Sequence, residues 1–388
     1  KTLRGYGYQV LLGRNIIDPD ACLGREMSVV KAGIERARKN GVSEELLAEM
    51  QELTGCVAVL DTGRTGPTLA LRFDIDCIPV TESTDDKHVP THCGFASKNP
   101  GFMHACGHDA HMSMGLAVCH WLMDNKDKLS GKVKILFQPA EEGVRGAAGM
   151  AASGILDDCD YFLSSHVAML AKSGELATNL YGFLCTTKYD VTFNGRASHA
   201  GVSPQEGRNA LAAAANATVQ MLGISRHGGG MTRINIGQLV AGEGRNVIPS
   251  KAVMKLEVRG ETMEINNYMS EQVTNIVEGI AKGFSVTYDM RKMGEAVDLT
   301  ADQELIDILN ESGREVGLKV LDKPLNFGGS EDATILARRV QAHGGKAAFF
   351  VWGSDRPSGH HSALFDIQEK DMAPAFDLWT HVLPKILK

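Results

Sequence analysis

The sequence predicts an α/β protein in which a smaller α+β unit is inserted into a larger domain. In the opening and closing parts of the chain, apolar strands alternate with helical patterns, which is typical of a sheet with helices on both faces. In the middle part, the predicted elements follow the order βαββαβ. A chain of 388 residues is also too long to fold around one simple hydrophobic core. We therefore predict a large domain from residues 1–184 and 294–388, and an inserted domain at residues 185–293.

The strands of the large domain are recognised as apolar runs between turn-forming residues. Cys56–Leu60 and Thr68–Phe73 are two such runs, joined by a turn-rich segment. A helix is predicted at Asp109–Asp124, because apolar residues recur there at helical spacing and Asp109 is a good N-cap residue. The remaining strands are predicted at Val133–Gln138, Tyr161–Ser165 and Ala347–Trp352, and a further helix at Ala301–Val316.

The inserted segment has the element order of a ferredoxin-like unit. Asn209–Leu222 is rich in Ala and is predicted as its first helix, and Glu264–Ala281 is predicted as its second. Its four strands are predicted at Thr187–Phe193, Arg233–Leu239, Lys251–Val258 and Phe284–Met290.

Composition limits the classes of partner. The net charge is −7 and no basic run interrupts the chain, which argues against a nucleic-acid partner. No apolar stretch is long enough to predict a membrane span. The eight cysteines are scattered without a C-x-x-C pair, so we predict reduced thiols, no secretory leader and a cytoplasmic location. The chain opens at Lys1 in what reads as mid-domain sequence, so we expect further residues before it.

A cluster of metal-ligand side chains stands at the start of the helix predicted from Asp109. Cys106 and His108 lie there, with His104 and His111 beside them, and thiolate and imidazole are ligands of borderline-soft divalent metals. We place Cys106 and His108 on the loop before the helix, where the helix N-terminus would lower the pKa of the thiol. The alternative is a buried cysteine beside a surface histidine, and the density of the cluster favours ligands.

Two further groups of polar side chains follow predicted strands. The pair Glu141–Glu142 comes directly after Val133–Gln138 and a Pro-Ala break, and His166 ends another strand. Ligand sites of α/β sheets gather at the carboxyl ends of strands. Because adjacent side chains diverge, we assign Glu142 to a metal and Glu141 to proton transfer. A histidine in the place of His166 can also be an ordinary core residue.

Three other assignments are less constrained by the sequence. Asp76 follows Thr68–Phe73 and either accepts a hydrogen bond from a ligand imidazole or is an ordinary turn residue. His199 belongs to the inserted segment, so it is a surface loop residue or is delivered across a cleft or a dimer interface. Either His360 or His361 could be a ligand, and the residues alone do not distinguish them.

Six segments, in order along nearly the whole chain, resemble those of the aminoacylase-type metallopeptidase and amidohydrolase family, in its hippurate and indole-acetyl-amino-acid hydrolase branch. The resemblance implies an α/β, mixed-sheet, zinc-peptidase-like catalytic domain with an inserted ferredoxin-like lid or dimerisation domain. The segments are Met103–His111, Phe137–Gly143, Ala197–Gly201, Arg245–Pro249, Gly329–Asp332 and His361–Phe365.

The resemblance also implies roles for individual residues. Cys106 would bridge two metal ions, and Glu141 would be the general base. His199 would cross over from the other protomer of a dimer to polarise the scissile carbonyl, and Asn246 and Arg259 would lie near the substrate carboxylate. The other metal ligands would be His108, Glu142, His166 and His361.

The resemblance leaves the identity of the metal open. Many members of the family carry a histidine ligand at the position of Asp74, which this chain lacks. A thiolate ligand favours zinc, whereas the resemblance to this branch favours manganese. We therefore expect two divalent ions per subunit, with manganese favoured and zinc as the alternative.

The implied reaction is hydrolysis of the amide bond of an N-acyl amino acid. Three segments, Gly94–Ser97, Glu142–Ala147 and Gly359–His361, most resemble members that cleave p-aminobenzoyl-glutamate to p-aminobenzoate and glutamate. The alternatives are a broader N-acyl-amino-acid amidohydrolase or dipeptidase, and a non-catalytic metal-binding protein. A second carboxylate at Glu141, which a storage site does not need, argues against the last. We expect a homodimer and allow for a second, different hydrolase subunit.

Overall fold

The computed structural model describes residues 1–388 and contains two large sheets with helices packed against them. The strands are β1 (Gln9–Leu11), β2 (Cys56–Asp61), β3 (Thr68–Asp74), β4 (Lys132–Gln138), β5 (Tyr161–Val167), β6 (Glu175–Ala177), β7 (Leu180–Tyr181), β8 (Cys185–Asn194), β9 (Thr232–Ala241), β10 (Lys251–Gly260), β11 (Thr287–Ala296), β12 (Lys319–Val320), β13 (Leu325–Asn326) and β14 (Lys346–Trp352). The helices are α1 (Thr2–Gly5), α2 (Met27–Lys39), α3 (Glu44–Met50), α4 (Val89–His92), α5 (His108–Asp124), α6 (Gly146–Ala152), α7 (Ala210–Leu222), α8 (Met263–Gly283), α9 (Gln303–Glu315), α10 (Ala333–Ala342) and α11 (Met372–Ile386).

The larger sheet has eight strands in the order β1-β2-β4-β3-β5-β14-β6-β12. Its central strands β4, β3, β5 and β14 are parallel, and β2 and β6 run antiparallel to their neighbours β4 and β14. One apolar core lies under α5, α9 and α11, and a second lies on the opposite face under α6 and α10. The central strands are buried on both faces, which explains their continuous apolar sequence. The prediction of a mixed α/β sheet is confirmed.

The smaller sheet has four antiparallel strands in the order β11-β8-β10-β9. Alternate side chains of β8 and β10, such as Val191, Phe193 and Met254, pack with α7 and α8 into a third core. The opposite face of this sheet carries no helix of its own. With two helices on one face, the unit has the predicted ferredoxin-like order. The division at residues 184 and 293 stays a prediction. The last strand of the smaller sheet, β11, ends at Ala296, three residues beyond the second of these boundaries.

Two predicted boundaries are wrong. The strand predicted at Phe284–Met290 begins only at Thr287, because Phe284 ends α8 as its C-cap residue. Asp109 does not cap α5, because the helix begins at His108 and Gly107 is the cap residue. Gly107 has φ of 86°, and a side chain there would collide with Val167, so only glycine is accommodated at this turn.

No helix of the chain combines the length and the hydropathy that a membrane span requires.

Candidate metal and catalytic site

The carboxyl ends of the three central strands β3, β4 and β5 meet at one edge of the large sheet. Asp74 is the last residue of β3, and Glu141 follows β4 after a short turn in which Ala140 has φ of 58°. His166 lies within β5, one residue before its end, rather than after it. The N-terminus of α5 brings His108 to the same edge. Sequence-distant polar side chains therefore converge where α/β sheets place their ligand sites.

Two groups of potential metal ligands share one sulfur atom. In the first group the ligand atoms of Cys106, His108 and His166 lie within 4.8 Å of one another. In the second group the same holds for Cys106, Glu142 and His361. Because Cys106 belongs to both groups, its sulfur is within reach of both sets of ligand atoms.

In two imidazoles of this cluster, a backbone carbonyl group determines which ring nitrogen carries the proton. Nδ1 of His108 lies 3.1 Å from the backbone oxygen of Asp76, and Nδ1 of His166 lies 2.8 Å from that of Val167. A carbonyl oxygen can only accept, so Nδ1 carries a proton in both rings, and in the neutral form of each imidazole the lone pair is on Nε2. Nε2 of His166 points at the sulfur of Cys106, 3.5 Å away. This is the orientation that backbone acceptors impose on ligand histidines.

Neighbouring carboxylates, not burial, set the pKa values of these two histidines apart. Burial lowers the pKa of His166 well below its usual range. Burial also disfavours protonated His108, but the charges of Asp74, Asp76 and Glu142 outweigh it and raise the pKa of His108 to about 9. His108 is therefore the histidine on which the negative charge of the site acts most strongly.

His361 and its neighbour His360 have different surroundings. The backbone of His361 has φ of 64°, and its N–H donates to the carbonyl oxygen of Ala105, 2.7 Å away. Its Nε2 then lies 3.3 Å from a carboxylate oxygen of Glu142, which raises its pKa. His360 instead has Nδ1 2.6 Å from Arg356 and its ring against Phe365. Only His361 belongs to a group of ligand atoms.

The expected lowering of the Cys106 pKa is wrong for the protein by itself. Cys106 lies on the loop before α5, as expected, but it is buried, and Glu142, Glu141 and Asp74 are close by. Burial and these carboxylates raise the pKa of the thiol well above its usual range and outweigh the helix N-terminus. A thiolate at this position requires additional positive charge beside it.

Glu141 and Glu142 differ in burial and in environment. Glu141 is buried, and its pKa is raised well above the usual range by burial and by the charges of Glu331 and Asp332. One oxygen of Glu141 lies 3.9 Å from Nε2 of His108. Glu142 is less buried and faces His361. The two carboxylates diverge as predicted from their adjacency, and only Glu142 belongs to the group that contains Cys106.

The carboxylate of Asp76 holds the backbone of this pair in place. One of its oxygens accepts from the N–H of Glu141 and the other from the N–H of Glu142, both at 3.0 Å. The same side chain lies 3.4 Å from Nδ1 of His108. Asp76 therefore lies beside the imidazole of His108 and positions the backbone of both glutamates, while its predicted role toward a metal ligand stays a prediction.

His111 and His104, although close in sequence, lie outside the two groups that contain Cys106. Nδ1 of His111 is 2.5 Å from Asp74, and its Nε2 accepts from the N–H of Val167 at 2.9 Å. Both ring nitrogens of His111 are thus occupied by protein groups. Its role is to join α5 to the ends of β3 and β5.

A buried ion network beneath the site is absent from the sequence predictions. Arg72 on β3 is fully buried and contacts Asp74 at 2.7 Å, Glu331 at 3.0 Å and Asp332 at 3.1 Å. Nε of Arg72 also donates to Gln138 on β4. The signal that could have revealed it is a single charged residue inside the apolar run Thr68–Phe73, since a buried charge requires partners.

The candidate site residues on the smaller unit do not reach this cluster within one chain. His199 is exposed, and its ring accepts only from the N–H of Gly201. Asn246 is exposed on the adjacent loop and accepts the N–H of Ala200 with its backbone oxygen. Arg259 on β10 pairs with Glu257. None of these side chains bonds to a residue of the metal-ligand groups.

Residues 70–385 match the model of peptidase family M20/M25/M40. The chain belongs to this family. Its fold and its cluster of Cys, His and Glu side chains are thus those of a hydrolase family, and the resemblance drawn from the sequence motifs is confirmed.

Two curated members of the M20 family align with almost the whole chain. The first is a Haemophilus influenzae homolog of one of the subunits of p-aminobenzoyl-glutamate hydrolase, and it is 52% identical over 98% of this chain and 90% of its own length. The second is the indole-3-acetyl-aspartic acid hydrolase of Enterobacter agglomerans, which is 42% identical over 97% of this chain and 87% of its own length.

A solved structure of the family has the same fold. The aminobenzoyl-glutamate utilization protein from Klebsiella pneumoniae superposes with a TM-score of 0.83 at 36% identity, covering 99% of this chain and 88% of that one. The shared fold therefore extends over nearly the whole of this chain and most of the other.

Proposed function

We propose that this M20 family member is a two-metal amidohydrolase that cleaves the amide bond of N-acyl amino acids, with p-aminobenzoyl-glutamate as the favoured substrate. The observation that carries the proposal is the pair of ligand groups sharing Cys106, with the separate buried carboxylate of Glu141 beside them. The similarity to the Haemophilus influenzae relative, which is named for p-aminobenzoyl-glutamate hydrolase, extends over 98% of the chain and supports the substrate.

The residues present fit two divalent cations. Nε2 of His108 and Oε1 of Glu142 are buried without any hydrogen-bond partner, and unpartnered buried polar atoms are costly; a cation that displaces the proton from His108 would satisfy both. Cys106, whose thiolate needs positive charge beside it, would lie between the two ions. The five ligands would be Cys106, His108, Glu142, His166 and His361. Bound divalent ions supply Lewis acidity, which polarises a carbonyl and makes a water molecule more acidic.

Glu141 would act as the general base and then as the acid. It is the carboxylate beside the cluster that does not join a group with Cys106, and its raised pKa favours the uptake of a proton from water. The same carboxyl group would return this proton to the nitrogen of the leaving amino acid. Asp76 would keep Glu141 in register with the ligand Glu142 through its two backbone hydrogen bonds.

His199 would complete the site from the other protomer of a homodimer. The edge strand β9 and the neighbouring helix α7 expose apolar side chains, and such a surface suits contact between two copies of the chain. The exposed residues are Leu211, Val219 and Leu222 on α7 and Leu239 and Val240 on β9. His199 would donate to the scissile carbonyl oxygen, with Asn246 and Arg259 near the substrate carboxylate. A second, different hydrolase polypeptide stays part of the proposal, because the name of the Haemophilus influenzae relative refers to one of several subunits.

For the metal we favour manganese, with zinc as the alternative. The mixed set of one thiolate, three imidazoles and one carboxylate accommodates either ion. For the location we propose the cytoplasm, because all eight cysteines are free thiols.

A hydrolysis screen with the purified protein tests the proposed reaction. Apoprotein reloaded with manganese or zinc is offered p-aminobenzoyl-glutamate, hippurate, indole-acetyl-aspartate and plain dipeptides. We expect metal-dependent release of glutamate from the first substrate at the highest kcat/KM. A preference for hippurate or dipeptides would support the broader amidohydrolase or dipeptidase instead. Metal binding without hydrolysis of any amide would support the non-catalytic metal-binding protein.

A further inference from the structure

One lysine on the smaller unit faces the catalytic loop without a partner. On β8, Thr187 bonds to α8 through Asn266, and Tyr189 packs against the helix-covered core. The intervening Lys188 therefore points to the opposite, helix-free face of the sheet. It is nevertheless half-buried, and its side chain makes no hydrogen bond or ion pair.

The carboxylate that could neutralise Lys188 is already engaged. Glu257 on β10 is the direct cross-strand neighbour of Lys188. Its two oxygens instead form a bidentate pair with Arg259, at 3.0 and 3.2 Å. The guanidinium of Arg259 and the carboxylate of Glu257 thus satisfy each other, and Lys188 keeps its donors free.

A second free cation lies on the catalytic loop itself. Arg145 follows Glu141–Glu142 in the chain, and its guanidinium group lies over the backbone of Gly143. It is exposed and makes no side-chain hydrogen bond or ion pair. The segment that contains it resembles that of p-aminobenzoyl-glutamate hydrolases, and neither metal binding nor proton transfer requires an arginine there.

The two cations lie on either side of the contact between the smaller sheet and the loop. Gly294 on β11 is the cross-strand neighbour of Lys188 on the other side of β8, and it packs directly against the carbonyl oxygen of Gly143. Burial lowers the pKa of Lys188; of the neighbouring charges, Glu257 and Glu141 raise it, whereas Arg259 and Arg145 lower it. The contact between Gly294 and Gly143 therefore places Lys188 and Arg145 on the two sides of one junction, next to the loop that carries Glu141.

We propose that Lys188 and Arg145 form a subsite for the side-chain carboxylate of an acidic leaving amino acid. This inference rests on the proposed function and names the feature that selects the amino acid. Two unpaired cations beside the reacting centre attract a second negative group, and a carboxylate can accept hydrogen bonds from both. The two relatives described above are named for amides of glutamate and of aspartic acid.

The test compares an acidic substrate with its neutral isostere. Wild type, Lys188→Met and Arg145→Met are assayed on p-aminobenzoyl-glutamate and p-aminobenzoyl-glutamine. We expect the ratio of kcat/KM for the two substrates to fall by about 10-fold or more in each variant, through KM for the glutamate substrate. Lys255→Met, on the same face of β10 but paired in register with Asp190, is the matched control and should leave the ratio unchanged.

Binding of the free amino acids separates this subsite from the reaction itself. Calorimetry of the metal-loaded wild type should show glutamate binding more tightly than glutamine, and both variants should lose that difference. An unchanged substrate ratio, or an equal loss for the acidic and the neutral substrate, would overturn the subsite. If no amide is hydrolysed, the proposed reaction fails, and the glutamate-to-glutamine difference in affinity still decides the subsite: its absence in wild type refutes it.

Discussion

The cluster at the edge of the large sheet and the loops that carry His199 and Asn246 belong to the same proposed site but are built in opposite ways. In the cluster, backbone carbonyls, Asp76 and the network of Arg72 hold the side chains inside one chain. In the loops, His199 and Asn246 are exposed and make only local hydrogen bonds. One half of the proposed site is thus preorganised by folding, whereas the other half would be supplied by the second protomer of the proposed dimer.

Because of this difference, substitutions in the two regions should affect different properties of the protein. A substitution in the cluster or beneath it acts on folding, metal content or chemistry within a single chain. A substitution in the exposed loops should leave folding and metal content intact and lower activity at the site that the loop completes on the other protomer of the proposed dimer. The four predictions below follow from this contrast, from the largest expected effect to the smallest.

Arg72→Met should lower the free energy of unfolding by roughly 3–5 kcal/mol, because it leaves Asp74, Glu331 and Asp332 buried without their cation. Denaturant unfolding measures the change. The matched control is Arg339→Met, since Arg339 pairs with Asp157 at a comparable distance of 2.7 Å on the surface, where such a pair contributes about 0–1 kcal/mol. Similar losses in the two variants would mean that the buried network does not support the site.

Glu141→Gln should reduce activity by roughly 10²-fold or more, because the amide keeps the shape but cannot take up the proton. Metal content, measured by elemental analysis, should stay near that of wild type. Glu142→Gln is the companion variant and should lose metal, since its carboxylate belongs to a ligand group. Activity of Glu141→Gln within a few-fold of wild type would remove Glu141 as the base.

His199→Ala should reduce activity by roughly 10²-fold, which is the scale of a lost donor to a developing oxyanion. Metal content and stability should not change, because the side chain is exposed. Mixing this variant with Glu141→Gln creates dimers that have one site with both residues intact, so part of the activity should return. If exchange of protomers is demonstrated and no activity returns, His199 does not act across the interface.

His361→Ala should lower metal content more than His360→Ala does. Nε2 of His361 approaches Glu142, whereas His360 is engaged by Arg356 and Phe365. Elemental analysis after dialysis measures both variants, and the opposite order would exchange their roles. Because His361 is the most exposed of the proposed ligands, with 57% of its side chain accessible, we expect a partial loss rather than an empty site.

The elements of the fold could be predicted where burial decides the sequence. The central strands β3, β4, β5 and β14 were found within two residues at each end, because strands buried on both faces are continuously apolar. β11 was displaced, because its second half, with Arg291, Lys292 and Glu295, has no apolar alternation to mark it. Its position is set instead by pairing with β8.

The part of the site that could be predicted is the part marked by metal-binding residue types and by their positions at the ends of strands. Residue spacing and the resemblance named the side chains that the structure brings together around Cys106. Residue spacing alone could not separate His111, whose two nitrogens are occupied, from the proposed ligand histidines, whereas the resemblance left it out of the implied ligand set. They also gave no partner for Arg72, because its contacts to Glu331 and Asp332 come from a segment more than 250 residues away, which only the folded chain brings close.

The two hydrogen bonds that Asp76 accepts from consecutive backbone N–H groups also limit how the protein can be re-engineered. Because one carboxylate holds both Glu141 and Glu142, neither glutamate can be shifted to admit a bulkier substrate without displacing the other. Under the proposed subsite, changes of substrate range are better sought at Lys188 and Arg145 than at these glutamates. The large sheet would thus hold the reacting groups in fixed positions, and the smaller unit would be the place to change which substrates bind.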